Sequence, residues 1–111
     1  MDYSLECHED VVVIAPRGRV DESSWVAFGA GLSDAIGKAR QANIARVVID
    51  LGGLEYMSSR GLRVLTVGKR EGEEAGVAIS LASPNEVMRE ILSISRYDRL
   101  FTITETVAAA H

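Results

Sequence analysis

The sequence predicts a single α/β domain with a mixed, mostly parallel sheet of four to five strands. Apolar runs typical of strands alternate with segments whose apolar residues recur every three or four positions, as in amphipathic helices. The length of 111 residues suits one domain with one core. The order along the chain is β-β-α-β-α-β-α-β with a helical tail, and the first two strands form a hairpin that adds an antiparallel edge.

The first half of the chain contains the hairpin, a helix and the start of the next strand. Residues 5–8 and 11–15 are strand candidates around a turn at residues 9–10, and residues 17–20 extend the second strand after a kink at Pro16 and Gly18. Residues 21–24 are predicted to supply an N-cap and an acidic first turn. The helix that follows ends near residues 42–43, and its apolar face consists of Trp25, Phe28, Leu32, Ala35, Ile36 and Ala39.

The second half repeats the alternation. Residues 45–50 form a buried strand, a loop runs to Ser59, and a helix follows with Leu62 and Leu65 facing inward. Residues 72–76 are predicted as an acidic loop and residues 77–81 as a strand. A helix opens at residues 83–86 with Val87, Ile91 and Met88 as candidates for its inward face, and residues 100–104 form the last strand before a helical turn.

Composition excludes several classes of function. The net charge of −4 disfavours a nucleic-acid partner, and no apolar run is long enough for direct insertion into a membrane. The first residues lack the pattern of a secretory signal, so a cytoplasmic location is expected. Cys7 is a single cysteine and is expected to be a buried or half-buried strand residue. No metal site or cofactor is expected, because His8 and His111 are isolated in the sequence.

The most informative segment is residues 47–65, where an apolar strand leads into a loop that ends at Ser58, Ser59 and Gly61. Two hydroxyls therefore lie at a helix N-terminus, which favours negative charge, and this placement suggests a phosphoserine switch. A catalytic role finds no support. The chain has no Gly-x-Ser-x-Gly elbow, no Gly-rich phosphate loop ending in Lys-Ser/Thr, and no obvious histidine to activate either serine.

The same segment carries a family resemblance. The pattern that matches is Asp50-Leu51-x-x-Leu54-x-Tyr56-Met57-x-Ser59-x-Gly61-Leu62. It resembles the signature of anti-sigma-factor antagonists, the bacterial members of the STAS (sulphate transporter and anti-sigma antagonist) domain family. The resemblance extends to residues 18–21 before the first helix and residues 82–84 before the third. It implies a STAS-like domain over residues 1–111, with helices packed mainly on one face of the sheet.

The resemblance also implies a regulatory protein without catalysis of its own. Such an antagonist binds an anti-sigma factor that is also a serine kinase, and thereby controls transcription that depends on the sigma factor. The kinase phosphorylates the antagonist and ends the complex, and a PP2C-type phosphatase reverses the modification. By position, the phosphoacceptor is Ser59, with Ser58 as the alternative, and the acid of the loop before the first helix is Asp21.

Two positions depart from the common pattern. Ser58 stands where the family often has Asp, and Arg60 stands where the residue is usually small. Arg63 lies one turn beyond Ser59, so both arginines are potential partners of a phosphate. We hypothesise that this basic pair changes the choice of partner. The predicted partner-binding residues are Asp21, Met57, Ser58, Ser59, Arg60 and Arg63.

Other interpretations stay open from the sequence alone. Ser59 can be an ordinary N-cap, and Asp21 can serve only to cap the first helix. For Ser58 a role as the cap or as a loop hydroxyl is favoured over a role as phosphoacceptor. A STAS domain of this kind can also be a stand-alone subunit that regulates or stabilises a membrane transporter complex. An enzyme with Ser59 as nucleophile is the least favoured alternative.

Overall fold

The computed structural model describes residues 1–110, so His111 lies outside the described residues. The strands and helices alternate largely as predicted. The strands are β1 (Asp2–Cys7), β2 (Val12–Val20), β3 (Arg46–Asp50), β4 (Leu54–Met57), β5 (Ala78–Ala82) and β6 (Ile103–Thr104). The helices are α1 (Trp25–Gln41), α2 (Ser59–Ala75) and α3 (Glu86–Ser95), with short 3₁₀ turns at Tyr97–Arg99 and Ala108–Ala110.

The sheet is mixed and mostly parallel, as predicted. Its main order is β1-β2-β3-β5-β6, in which β1 is antiparallel to β2 and the remaining pairs are parallel. β2 is the longest strand and has two parallel partners. Its first half pairs with β3, and its second half pairs with β4. This division of β2 determines where the loops at the carboxyl ends of the strands meet.

β4 was not predicted as a separate strand, because the sequence was interpreted there as a loop leading to Ser59. Its four residues pair with β2 from Gly18 to Val20, after a shift of register between Gly18 and Arg19. Gly18 has a φ of +95°, which residues with a side chain rarely adopt. The kink predicted at this position is therefore the point where β2 changes partner while remaining one strand.

The three helices pack on one face of the sheet, which confirms that part of the prediction. The main core consists of the inward faces of α1, α2 and α3 and the strand residues beneath them, including Ile14, Val47, Ile49 and Leu81. The opposite face carries a small second cluster of Val11, Val13, Val48 and Ala82. The C-terminal segment covers this cluster with Val107 and Ala110. No side-chain polar group among the described residues is both buried and without a partner.

Some details of the helices differ from the prediction. α2 continues through the predicted acidic loop to Ala75. A side chain at Gly72 would meet the carbonyl of Val77 at 2.6 Å, so glycine lets the helix pass close to β5. In α3 Met88 is buried as expected, together with Leu92, and Ile91 is half-buried against the core, whereas Val87 is exposed, contrary to the prediction. Apolar residues occur on more than one side of this short helix, so spacing alone did not identify its core face.

The start of α1 and the exposure of Cys7 both differ from the prediction. α1 begins at Trp25, so Asp21 and Glu22 precede the helix and its first turn has no acidic residue. Cys7 is exposed at the end of β1, contrary to the expectation of burial. Within residues 1–110, no helix has the length and apolar content needed to cross a bilayer.

Candidate functional site

Two loops meet at the carboxyl ends of β2 and β4. Because these strands are parallel and Val20 is opposite Met57, the chain leaves both strands at the same edge of the sheet. The backbone N–H of Ser58 donates to the carbonyl of Val20 at 2.8 Å, which joins the two strand ends directly. Residues 21–24 then lead into α1, and Ser58 leads into α2. The predicted site residues on the two loops are therefore neighbours in the fold.

The loop before α1 is closed by its own hydrogen bonds. The carboxylate of Asp21 accepts from the backbone N–H of Ser23 at 3.0 Å and from the Ser23 hydroxyl at 2.8 Å. The Ser24 hydroxyl donates to the carbonyl of Arg19 at 2.6 Å and accepts from the backbone N–H of Asp21 at 3.0 Å. Asp21 thus shapes the turn before the helix, and Ser24 occupies the N-cap position.

The charge of Asp21 is stabilised in this arrangement. The Ser23 hydroxyl and then the Ser23 backbone N–H hold the pKa of the Asp21 carboxyl below its ordinary value, with a smaller contribution from Arg19. The guanidinium of Arg19 lies 3.9 Å from the second carboxylate oxygen of Asp21 and stacks 4.6 Å from the ring centre of Tyr56. Asp21 is therefore an ionised group that is half-exposed beside the ends of β2 and β4.

The two serines have different positions. Ser58 is the N-cap of α2: its hydroxyl oxygen accepts from the backbone N–H of Gly61, and the side chain is half-buried. Ser59 is the first residue of the helix and is exposed. The hydroxyl of Ser59 has no hydrogen-bond partner among residues 1–110. Ser58 is therefore the cap of α2, which agrees with the expectation that Ser58 is a cap or a loop hydroxyl.

Gly61 lets the start of α2 lie directly on the two strands. A Cβ atom at this position would lie 2.5 Å from Cγ of Met57 and 2.7 Å from a methyl of Val20. Both neighbours are buried, with Met57 only 2% exposed. The predicted partner contact of Met57 is therefore wrong: its side chain fills the core beneath the helix and does not reach a partner.

Of the two arginines predicted to flank Ser59, only Arg60 contacts charged or aromatic side chains among residues 1–110. The guanidinium of Arg60 lies 3.2 Å from the carboxylate of Glu22 and 5.3 Å from the ring centre of Trp25, so it connects α2 to the loop before α1. Arg63 is exposed one turn further along, and no ion pair joins it to another described residue. Exposed pairs of this kind add little to stability. Their effect is to place charge and an aromatic ring around Ser59.

The structure thus brings together most of the predicted site. Five of the six predicted residues lie on the two loops and the first turns of α2: Asp21, Ser58, Ser59, Arg60 and Arg63. Met57 is the exception, because its side chain is buried in the core. Sequence reasoning missed Glu22 as the partner of Arg60, because nothing in the sequence indicates a contact between residues so far apart. It also missed the contact of Arg19 with Asp21, because Asp21 lies just past the end of β2, where strand alternation no longer predicts which side chains are neighbours.

The chemistry available here is the binding or covalent acceptance of an anion. The first N–H groups of a helix have no partner within the helix, and the helix dipole favours negative charge at that end. No cluster of possible metal ligands occurs among the described residues. His8 lies in the turn between β1 and β2, at the opposite end of β2, so it is not positioned to activate Ser59.

Comparisons with known proteins point to one family. The sequence profile of the STAS domain matches residues 2–110. BtrV of Bordetella bronchiseptica is 26% identical over 110 residues, covering 99% of this chain and 91% of its own. RsfB of Mycobacterium tuberculosis, an anti-sigma-F factor antagonist, is 26% identical over 100 residues, covering 90% of this chain and 78% of its own.

The fold has been seen before in the same group of proteins. The anti-sigma factor antagonist SpoIIAA, a cell fate determinant of Bacillus, has been solved in unphosphorylated and phosphorylated forms. The unphosphorylated form superposes with a TM-score of 0.77 at 23% identity, and the match covers 98% of this chain and 92% of that one. At this identity the likeness establishes the fold alone.

Proposed function

This chain belongs to the STAS domain family, and from that premise we propose that it is an anti-sigma-factor antagonist switched off by phosphorylation of Ser59. In the unmodified state it binds an anti-sigma factor that is also a serine kinase, and the sigma factor is released. Phosphorylation of Ser59 ends that complex, and a PP2C-type phosphatase restores it. The proposed location of these events is the cytoplasm.

The observation that carries the proposal is the division of roles between the two serines. Ser58 caps α2 through its side chain, whereas the hydroxyl of Ser59 is exposed and bonded to no other described group. A kinase can therefore reach the Ser59 oxygen without breaking a hydrogen bond that maintains the fold. Modification of Ser58 would instead disturb the cap, whose loss costs about 0.5–2 kcal/mol in typical helices. The relatives named as anti-sigma factor antagonists support the role of antagonist, and the phosphorylated form of SpoIIAA supports regulation by phosphorylation.

The charge of a phosphate on Ser59 should act on a docking partner and leave the fold of the domain unchanged. A phosphate on Ser59 would lie beside the free N–H groups at the start of α2, where the fold accommodates negative charge. It adds a charge of about −1.5 to −2 at neutral pH. A partner that carries nucleotide phosphates or acidic groups at this surface would then be repelled. The switch requires a change of charge on the surface and no refolding of the domain.

Arg60 and Arg63 are proposed to tune the choice of partner. Their cationic groups flank Ser59 on the face that the partner would approach, and only Arg60 is paired within the domain. Replacing both with Ala should change the affinity for the kinase and the rate of phosphorylation. Unchanged values for both would contradict this part of the proposal.

The direct test uses the anti-sigma factor kinase of the same organism with ATP, followed by mass spectrometry of the modified chain. Wild type and Ser58→Ala should each acquire one phosphate at residue 59, and Ser59→Ala should acquire none while still binding the kinase. Phosphate at residue 58 or at any other position would contradict the assignment. Co-purification with a permease or an ABC ATPase in place of a kinase would favour the transporter-subunit alternative.

A further inference from the structure

A groove runs along the outer surface between α1 and α2, beginning at Arg60, the residue directly after Ser59. Its volume is about 390 Å³, within the range of sites that hold small molecules. Its apolar lining consists of Trp25, Leu32, Val64 and Val67. We call this feature the interhelix groove. Nothing in the proposed function uses its apolar part.

Two glycines shape the groove: Gly29 leaves space above Val64, and Gly68 allows α2 to approach Leu32 of α1 closely. A Cβ atom at Gly29 of α1 would meet Val64 only at ordinary contact distances of 3.7–3.8 Å, so a larger side chain there would extend into open space. Gly68 of α2 lies against the side chain of Leu32, which forms part of the floor. Substituting a bulky residue at Gly29 should therefore fill the groove without disturbing the core.

The two ends of the groove carry opposite charges. At the end near Ser59 lies Arg63, a cation without an ion pair among the described residues. At the other end the carboxylate of Glu71 accepts a hydrogen bond of 2.8 Å from the Ser33 hydroxyl. Eight residues separate the two charges on α2, which corresponds to about 12 Å along the helix axis. A ligand of that length would find a cation at one end and an anion at the other.

We propose that the interhelix groove binds an amphiphilic monocarboxylate, such as a medium-chain fatty acid. The carboxylate pairs with Arg63, for which a planar guanidinium is suited, and the hydrocarbon chain covers the apolar lining beside Trp25. Glu71 would repel a second negative charge at the far end, and Arg63 would repel a cationic head group. The charges therefore disfavour dicarboxylates and alkyl cations, and the apolar lining favours a hydrocarbon tail behind the anionic head. Arg60 and Arg63 also flank Ser59, so the proposed site is that of the unphosphorylated protein, and a phosphate on Ser59 would compete with the ligand carboxylate for these cations.

The test is a titration of the full chain with decanoate below its micelle concentration, monitored by tryptophan fluorescence. Trp25 is the single tryptophan of the chain and lines the groove, so its emission reports occupancy directly. Decanoate should give a saturable change. Decanedioate and decyltrimethylammonium should bind at least about tenfold more weakly, because each places a like charge against one end. Equal binding of all three, or no saturable change with decanoate, would overturn the proposal.

Matched variants locate the ligand. Gly29→Leu should abolish binding, whereas Gly37→Leu, at a position of α1 with open space around it, should retain it. Arg63→Gln should weaken decanoate binding about tenfold, and Arg70→Gln on the same helix should not change it. Ser59→Ala should bind decanoate normally, which separates this site from the phosphorylation switch. Wild-type affinity in Gly29→Leu would overturn the assignment. The assignment would also be overturned if the wild-type chain formed a concentration-dependent dimer that Gly29→Leu abolishes. In that case a second copy of the chain, and not decanoate, would occupy the groove.

Discussion

Substituting Ala for Gly61 should destabilise the domain, although Ala is the better helix former. The added methyl carbon would lie 2.5 Å from Cγ of Met57 and 2.7 Å from a methyl of Val20. Carbon atoms in contact normally lie about 3.5–4.0 Å apart. Both neighbours are buried, so neither side chain can move into solvent. The start of α2 must therefore move away from the sheet, and it carries Ser58 and Ser59 with it.

The size of the effect follows from two opposing terms. Forcing an extra methyl into a packed interior costs about 1–3 kcal/mol, whereas replacing Gly by Ala inside a helix gains about 0.5–1 kcal/mol. The expected net loss in the free energy of unfolding is about 1–2 kcal/mol. For a domain of this size that corresponds to a decrease in Tm of about 5–15 °C.

The assay is urea unfolding of Gly61→Ala and Gly37→Ala, followed by circular dichroism. A Cβ atom at Gly37 of α1 meets nothing within 4 Å, so the same chemical change there should stabilise the domain by about 0.5–1 kcal/mol. The two variants should differ in sign. If Gly61→Ala were as stable as Gly37→Ala, the close packing of α2 on β2 and β4 would be refuted.

Three further predictions concern the loops around the site. Asn85→Ala should cost about 2 kcal/mol in urea unfolding, because its side chain accepts from the Met88 backbone N–H at 2.9 Å and donates to the Leu54 carbonyl at 2.6 Å. Asn85→Asp, which keeps only the cap, should lose less; equal losses would exclude a role for the contact with β4. The pKa of Asp21 is lower in the fold than its ordinary value of 3.8, so its contribution to stability is present above that pH and is lost as pH falls through the folded value. The stability difference between wild type and Asp21→Asn should be present at pH 6 and disappear at lower pH; a difference independent of pH would contradict the hydrogen-bonded carboxylate. Ser58→Ala should lower stability by about 1 kcal/mol, whereas Ser59→Ala should change it little; the reverse order would mean that Ser59 is the cap.

The sequence predicted the layers of the fold because most elements have one clear apolar pattern. α1 carries its inward residues at regular spacing, and the buried runs of β2 and β3 contain few polar residues. β4 was missed because it has only four residues and its burial pattern, with Leu54 and Met57 buried, does not alternate as in a typical strand. It forms a strand only because β2 changes partner after Gly18. That pairing connects segments far apart in the chain, and local patterns do not record it.

The sequence also predicted part of the candidate site. The position of Ser59 at a helix N-terminus follows from the change of pattern after residue 57, and the structure places it there. Ser58 was favoured as a cap or a loop hydroxyl, and the start of α2 at Ser59 makes it the cap. Met57 was misassigned because methionine is common both in cores and at adaptable surfaces. Its burial depends on Gly61, which brings the helix down onto it.

The contact between Arg60 and Glu22 was also beyond the reach of the sequence. The two residues lie on different loops, and their approach depends on the parallel pairing of β2 and β4. The same holds for the interhelix groove, which requires α1 and α2 to be neighbours and Gly29 to face Val64. Spacing within one helix reveals its inward face, but not the shape of the surface that two helices make together.

The central claim is that charge on the Ser59 oxygen decides whether a partner docks. The most direct measurement is the Kd for the anti-sigma factor kinase of the same organism, obtained by calorimetry with unmodified protein and with protein carrying phosphoserine at residue 59 alone. Phosphoserine at residue 59 should weaken binding by at least about tenfold, equivalent to about 1.4 kcal/mol, while Ser59→Ala binds as tightly as the unmodified chain. Equal affinity of the phosphorylated and unmodified proteins would contradict the account.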